Sequence, residues 1–271
     1  MIRLFSPAPV LIAGPCVLEG DAVNLAVADR LAELAATLGL RVVYKGSFDK
    51  ANRTRADAPR GPGLERGLEL LASVRDASGL SVLTDIHEPA QAAVAAQVVD
   101  ALQIPAFLCR QTDLLEAAGG TGLPVNIKKG QWADVGTMAS AVEKLGGADI
   151  AVTERGTFFG YGDLVVDMRA FGALKGATGA AVLFDATHSA QRPGRASDSA
   201  TGGSREHVPA LIKAAAAAGA DGFFIETHPE SDLAPSDAAT MWPLADLESL
   251  VEQALEVWHA ARGSGSRTAR T

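Results

Sequence analysis

Five basic side chains stand out for their setting: Lys45, Lys50, Arg53, Lys128 and Arg155, in the stretches YKGSFDKANRTR, VNIKKG and TERG. Ammonium and guanidinium groups held in place are hosts for phosphate and carboxylate. Five of them in a chain of net charge −8 point to a small substrate, or a pair of substrates, with several negative charges. A second set, Cys16, His188, Glu226 and Asp237, offers thiolate, imidazole and carboxylate, which suits a borderline divalent ion such as zinc, ferrous iron or manganese. No CxxC or HExxH spacing ties these four together, and His87 and His228 are equally eligible ligands on residue type alone. Asp85, His87 and Gln103 complete the chemistry-bearing positions, and Asp237 or His188 is a candidate for proton transfer.

These residues share one kind of address. The apolar, β-branched runs VLIAG (10–14), RVVYKG (41–46), SVLTDI (81–86), VDALQI (99–104), PVNIKK (124–129), DIAVTE (149–154), AVLFDA (181–186) and GFFIET (222–227) read as strands. They close on Cys16, Lys45, Asp85 with His87, Gln103, Lys128 with Lys129, Glu154 with Arg155, Asp185 with His188, and Glu226 with His228. Helical stretches are expected at 22–38, 64–78, 89–97, 111–118, 134–145, 205–218 and 244–261, with an irregular crossover at YGDLVVDMRAFGALKG (161–176). Strands that are apolar almost throughout belong to a parallel sheet covered on both faces. Eight βα units in about 250 residues predict an α/β fold, a single-domain (β/α)8 TIM barrel, whose strand ends gather at the face that carries active sites. A doubly wound open sheet is the competitor, but neither GxGxxG nor a Walker sequence is present, and GGTG at 119–122 is a poor substitute. The barrel is expected over residues 1–262, and the polar GSGSRTART tail (263–271) reads as disordered.

Bulk properties narrow the partners. An acidic chain disfavours nucleic acid and anionic membrane. No apolar stretch is long enough to span a bilayer, and the first residues lack a signal-peptide pattern. Only Cys16 and Cys109 occur, so a reducing, cytoplasmic setting without disulfides is expected. Cys109, in FLCRQTDL, reads as a packed residue near a subunit contact.

The stretches IAGPC, KGSFDKANRT, TDIHEP, LQIPAFLCRQTDLL, VNIKKGQW, TERGTFFGYGDLVVDMR, DATHSAQRPG and ETHPESDLAPSDA resemble the 3-deoxy-D-manno-octulosonate 8-phosphate synthases, from about residue 10 to 243. The resemblance implies condensation of phosphoenolpyruvate with D-arabinose 5-phosphate and water, release of inorganic phosphate, a role in lipopolysaccharide inner-core synthesis, and a homotetramer of barrels. It implies that Lys45, Lys50, Lys128 and Arg155 hold phosphoenolpyruvate, with Gln103 and the Ala106–Phe107 backbone nearby. Asn52 and Arg53 would hold arabinose 5-phosphate, Thr54 offers a hydroxyl for phosphate, Ser47 is a further substrate-binding candidate, and Arg110 would reach a phosphate in a neighbouring subunit's site. Asp85 and His87 would line the pocket near the reacting carbons, and Lys45, Lys128, His188 and Asp237 join them as candidate catalytic residues. The family has a metal-requiring class with cysteine at the position of Cys16 and a metal-free class with asparagine there. The cysteine, with His188, Glu226 and Asp237 at the other ligand positions, implies one divalent ion per subunit and no organic cofactor.

The chain departs from the family pattern at Thr54-Arg55, where Ser-Ser is common, at Gly46, where serine is usual, and at Arg192, where an apolar residue is common. Two other readings stand beside the synthase. A 3-deoxy-D-arabino-heptulosonate 7-phosphate synthase would use erythrose 4-phosphate, but its Lys-Pro-Arg-Thr signature differs from Lys50-Ala51-Asn52-Arg53. An inactive sugar-phosphate-binding barrel would bind both ligands without releasing phosphate.

Overall fold

The computed structural model describes residues 3–5, 9–52, 57–147, 149–158, 162–197 and 200–263. All eight expected strands form: β1 (Val10–Gly14), β2 (Arg41–Lys45), β3 (Ser81–Asp85), β4 (Ala101–Ile104), β5 (Val125–Lys128), β6 (Ile150–Glu154), β7 (Ala181–Asp185) and β8 (Gly222–His228). Each pairs in parallel with its neighbours in chain order, and β8 returns to β1 in the register Val10↔Gly222 to Gly14↔Glu226. That last ladder closes the sheet, which excludes the open alternative and establishes the (β/α)8 barrel. Among the described residues eight α-helices cover it: α1 (Asp21–Leu38), α2 (Leu64–Ser78), α3 (Pro89–Ala95), α4 (Thr112–Gly120), α5 (Val135–Lys144), α6 (Ala170–Thr178), α7 (Val208–Ala218) and α8 (Leu247–Gly263). No helix among the described residues is long and apolar enough to cross a membrane.

Side chains alternate across a strand with period two, so each strand faces the barrel axis with one set of residues and the helices with the other. Toward the helices point Leu11, Val42, Tyr44, Val82, Leu102, Ile127, Val152, Phe184 and Ile225, part of the large outer core. Toward the axis point Val10, Ile12, Val43, Leu83, Ala101, Ala151, Leu183 and Phe224, with Phe5 packed among them. Two residues further along the same inward rows the chemistry changes: Val43 is followed by Lys45, Leu83 by Asp85, Ala101 by Gln103, Leu183 by Asp185 and Phe224 by Glu226. The barrel interior is therefore apolar at one end and ionic at the other, and its ionic layer lies at the C-terminal strand ends.

The irregular sixth crossover resolves into a short antiparallel ribbon, Thr157–Phe158 against Leu164–Val165, followed by α6. A second ribbon, Gln191–Ser197 against Ala200–Gly203, follows the His188–Ala190 turn and is absent from the sequence reading. The helices expected at 205–218 and 244–261 each open with a 3-10 turn, Arg205–His207 and Leu244–Asp246. Beyond β1 and β2, a parallel bridge between Val17 and Ser47 continues the pairing into the loops and sets Cys16 beside the KGSFDK segment. Of the tail expected at 263–271, Gly263 closes α8 and residues 264–271 lie outside the described residues.

Candidate active site

A cavity of ≈ 500 Å³ opens at the ionic end of the barrel. Lys45, Lys50, Lys128 and Arg155 reach it from β2, the loop after it, β5 and the end of β6, and Asp85, His87, Gln103, His188, Glu226 and Asp237 share its walls. Lys45 is 1 % exposed, and its Nζ donates to the Cys16 carbonyl at 3.0 Å and to Glu226 Oε1 at 3.1 Å, with Asp85 Oδ2 at 3.6 Å. Burial pushes Asp85 up, yet the ammonium groups of Lys45 and Lys50 outweigh it and hold the carboxyl well below its ordinary range. Burial works the other way on Lys128 and brings its ammonium down to about 8, although Asp185 beside it opposes the shift. Arg155 is also lowered by burial; its Nη2 donates to Gln191 Oε1 at 2.7 Å, and Gln191 Nε2 donates to Asp237 Oδ1 at 2.6 Å. One glutamine thus joins a cation to a carboxylate.

Cys16, Glu226 and Asp237 present ligand atoms that all lie within 4.8 Å of one another. The Cys16 thiol donates to Asp237 Oδ2 at 3.1 Å, and burial, helped by Glu226, pushes that thiol well above its ordinary value. Glu226 Oε2 is buried without a hydrogen-bond partner, a costly arrangement for a carboxylate oxygen that a cation would relieve. Asp237 adopts φ of +53°, the one non-glycine positive φ among the described residues, a conformation found where function holds the backbone. His188 Nε2 stands 3.6 Å from Glu226 Oε2, beside the trio, while its Nδ1 contacts Asp185 Oδ2 at 2.8 Å. A carboxylate behind the far ring nitrogen is the usual support of a metal-binding histidine. Thiol, two carboxylates and a braced imidazole fit a divalent ion. Of the other two candidate histidines, His228 Nε2 meets Glu19 at 3.0 Å, while His87 packs edge-on against Phe48 with centroids 5.7 Å apart and keeps a buried Nδ1 without a hydrogen-bond partner.

The profile of the DAHP synthetase I family matches residues 6–261. The chain belongs to the DAHP synthetase I family. Within that family it is similar to proteins named 2-dehydro-3-deoxyphosphooctonate aldolase, an alternative name for the enzyme of the sequence resemblance. The one from Rhodopseudomonas palustris (strain TIE-1) is 55% identical over 91% of this chain and 86% of the relative. The one from R. palustris (strain HaA2) is 53% identical over 99% and 100%, and that of Bradyrhizobium sp. (strain ORS 278) 50% identical over 99% and 95%.

The chain also carries a polar belt of which sequence reasoning did not pick out Asn126 and Thr153. Thr153 Oγ1 donates to Asn126 Oδ1 at 2.7 Å, Asn126 Nδ2 to Gln103 Oε1 at 2.7 Å, and Gln103 Nε2 to Asp85 Oδ1 at 2.6 Å. Ser47 donates to the other oxygen of Asp85, and Lys50 Nζ donates to Ser47 Oγ at 3.1 Å. Asn126 and Thr153 occupy inward positions of β5 and β6, a signal that the period-two pattern contains. Asp185, Gln131 and Gln191 also line the cavity; of these the sequence marked only Asp185, as a strand end without a role. Asn52, Ala106 and Phe107 line it as expected, whereas Arg53, Thr54 and Arg55 lie outside the described residues.

Other expected positions sit elsewhere. Arg110 lies apart from the cavity, in a surface cleft with Asp134, Thr137, Ser140 and Lys144 beside α5. Lys129 turns from the cavity to Thr157, the Ala133 carbonyl and Glu154. Cys109 is buried and a free thiol. Two departures have local explanations: a Cβ at Gly46 would lie 2.4 Å from Leu18 Cδ2, and Arg192 Nε ties its ribbon to Asp163 at 2.7 Å.

Proposed function

We propose that this chain condenses phosphoenolpyruvate with D-arabinose 5-phosphate and water, giving 3-deoxy-D-manno-octulosonate 8-phosphate and inorganic phosphate for the lipopolysaccharide inner core. The observation that carries the reading is the convergence of four buried or half-buried cations with the Cys16–Glu226–Asp237 cluster on one cavity at the barrel mouth. The names of the relatives support it, and Lys50-Ala51-Asn52-Arg53 in place of Lys-Pro-Arg-Thr favours the pentose phosphate over erythrose 4-phosphate.

In this reading Lys45, Lys50, Lys128 and Arg155 bind the carboxylate and phosphate of phosphoenolpyruvate, with Gln103 and the Ala106–Phe107 backbone alongside. Asn52, Arg53 and Thr54 take arabinose 5-phosphate, while Ser47, fully buried between Asp85 and Lys50, acts from behind the cavity wall. Fixing both anions holds C3 of phosphoenolpyruvate against the aldehyde carbon, which converts an encounter of two anions into a positioned reaction. The new carbon–carbon bond forms there, water adds at C2, and phosphate leaves by C–O cleavage. Asp85 and His87 face the reacting carbons, and Asp85, kept ionised by its lysines, is a fixed counter-charge to the cations that hold phosphoenolpyruvate. Cys16, His188, Glu226 and Asp237 would hold a divalent ion, zinc, ferrous iron or manganese, which when bound supplies Lewis acidity for the aldehyde or the water.

We also read the enzyme as a cytoplasmic homotetramer. Support comes from Arg110, which lies outside its own chain's cavity, and from the exposed rings of Phe107 and Trp132, stacked with centroids 5.7 Å apart. Light scattering on the purified protein measures this directly.

The decisive assay is phosphate release from phosphoenolpyruvate with arabinose 5-phosphate or erythrose 4-phosphate, with metal supplied and with chelator. Release with the pentose phosphate alone is expected. Release only with erythrose 4-phosphate would support the sister activity, binding of both ligands without release an inactive barrel, and undiminished release after verified metal removal would overturn the metal assignment.

A further inference from the structure

Asp185 joins two parts of the site that the reading above treats separately. It is fully buried at the end of β7. Its Oδ1 accepts the His188 backbone N–H at 2.9 Å, and its Oδ2 meets both His188 Nδ1, at 2.8 Å, and the Lys128 ammonium. The ring of Phe224 supports both partners, with Lys128 over its face and the His188 ring 5.9 Å away between centroids. An ionised carboxylate only accepts, so the imidazole nitrogen facing it must carry the hydrogen. That leaves Nε2 with its lone pair on the side of Glu226 and the Cys16–Asp237 pair.

We propose that Asp185 is a positioning residue that fixes His188 in the Nδ1–H tautomer and holds the Lys128 ammonium in the cavity, so that one carboxylate orients both the metal ligand and the anion host. The proposal rests on the metal and phosphoenolpyruvate assignments above. Three donors converge on this carboxylate: the His188 N–H, its ring Nδ1–H and Lys128. Asparagine keeps the shape but offers one accepting oxygen and two donors of its own. Asp185→Asn must therefore release His188, Lys128 or both.

The test uses the full chain labelled with ¹⁵N-histidine, the His188 signals being identified by their loss in His188→Gln. At about pH 8.5, where a histidine is ordinarily neutral, the metal-free wild type should show His188 protonated at Nδ1, and Asp185→Asn should move the proton toward Nε2. Competition against a chromophoric chelator should show zinc bound about 10- to 100-fold more weakly by Asp185→Asn, the usual cost of losing such a support. Calorimetry on metal-free protein should show weaker phosphoenolpyruvate binding by the variant. Wild-type His188 protonated at Nε2 overturns the proposal without any variant, as do equal zinc and phosphoenolpyruvate affinities in a folded Asp185→Asn. A wild type that binds no zinc defeats the metal assignment instead, and the tautomer and the phosphoenolpyruvate affinity then decide the role of Asp185.

Discussion

Replacing Glu226 by glutamine separates the two tasks that the structure gives this side chain. In the metal-free protein it is a counter-charge: Oε1 accepts from Lys45 at 3.1 Å and lies 4.0 Å from Lys50. Burial pushes its carboxyl up, but the ammonium groups of Lys45 and Lys50 oppose it and the group sits below its ordinary value, so the site favours the ionised form. Removing one member of a buried pair costs about 3–5 kcal/mol when the other is left uncompensated. Lys45 retains the Cys16 carbonyl and Asp85, so the loss should be smaller, about 2–3 kcal/mol. At about 2.1 cal/mol/K per residue, 271 residues give an unfolding entropy of about 0.57 kcal/mol/K, and the midpoint of metal-free Glu226→Gln should fall by about 4–5 °C. The second task is ligation. Zinc at a hundred times its Kd stabilises a binding protein by about 2.7 kcal/mol, or roughly 5 °C here. Thermal unfolding of both proteins, chelated and zinc-loaded, should show that upward shift in the wild type and most of it missing in the variant. An unchanged metal-free midpoint would refute the counter-charge argument, and an undiminished zinc shift would refute ligation by Glu226.

Further outcomes follow from the same geometry. Lys128 titrates near 8, so phosphoenolpyruvate affinity should weaken as pH rises through that value, and Lys128→Arg should flatten the step; a step unchanged in that variant assigns it to another group. The linked effect on folding has a definite sign: between about 8 and about 10.5 the unfolded chain holds more of this proton, so the contribution of Lys128 to stability rises with pH in that window. Gly14 has φ of +154°, and a Cβ there would lie 2.1 Å from the Lys45 carbonyl oxygen, so Gly14→Ala should destabilise by 4 kcal/mol or more (about the upper end for single substitutions) and lose zinc binding; a native denaturation midpoint would contradict this. Cys16→Asn exchanges a thiolate donor for an amide, and chelator competition should report zinc affinity lowered by about tenfold or more, since a neutral amide is a much poorer zinc ligand; equal affinity would remove Cys16 from the ligand set.

The strands and their functional ends were legible because two local rules agree in them. An apolar run marks a buried strand, and period two carries an inward Leu83 to an inward Asp85, or Phe224 to Glu226, without knowledge of anything distant. The same rule, pressed one strand further, would have marked Asn126 and Thr153. It marked Asp185 as an inward strand end but not its role, which comes from contacts with β5 and the turn after β7, and it was silent on Gln131 and Gln191, neutral amides in the mouth connections whose partners are set by tertiary packing. The two ribbons at the mouth were missed for a related reason. Pairs as short as Thr157–Phe158 with Leu164–Val165 have no periodicity to read. Choosing among His87, His188 and His228 on residue type was not possible; the family pattern selected His188, and the nearness of its Nε2 to Glu226 and the engagement of His228 by Glu19 supply independent reasons.

The belt from Thr153 through Asn126 and Gln103 to Asp85 also limits how this sequence can drift. Each amide in it is both donor and acceptor to its neighbours. A change to an apolar residue at Asn126 alone strands a hydroxyl on one side and a carbonyl on the other, at about 1–3 kcal/mol for each group left unsatisfied. Replacing adjacent members together with apolar residues of matching shape can be close to neutral. Descendants of this chain should therefore lose or exchange these residues in groups rather than singly. Along the belt, the unit of inheritance is the hydrogen-bonded run, and its members should covary across relatives even where they lie on different strands.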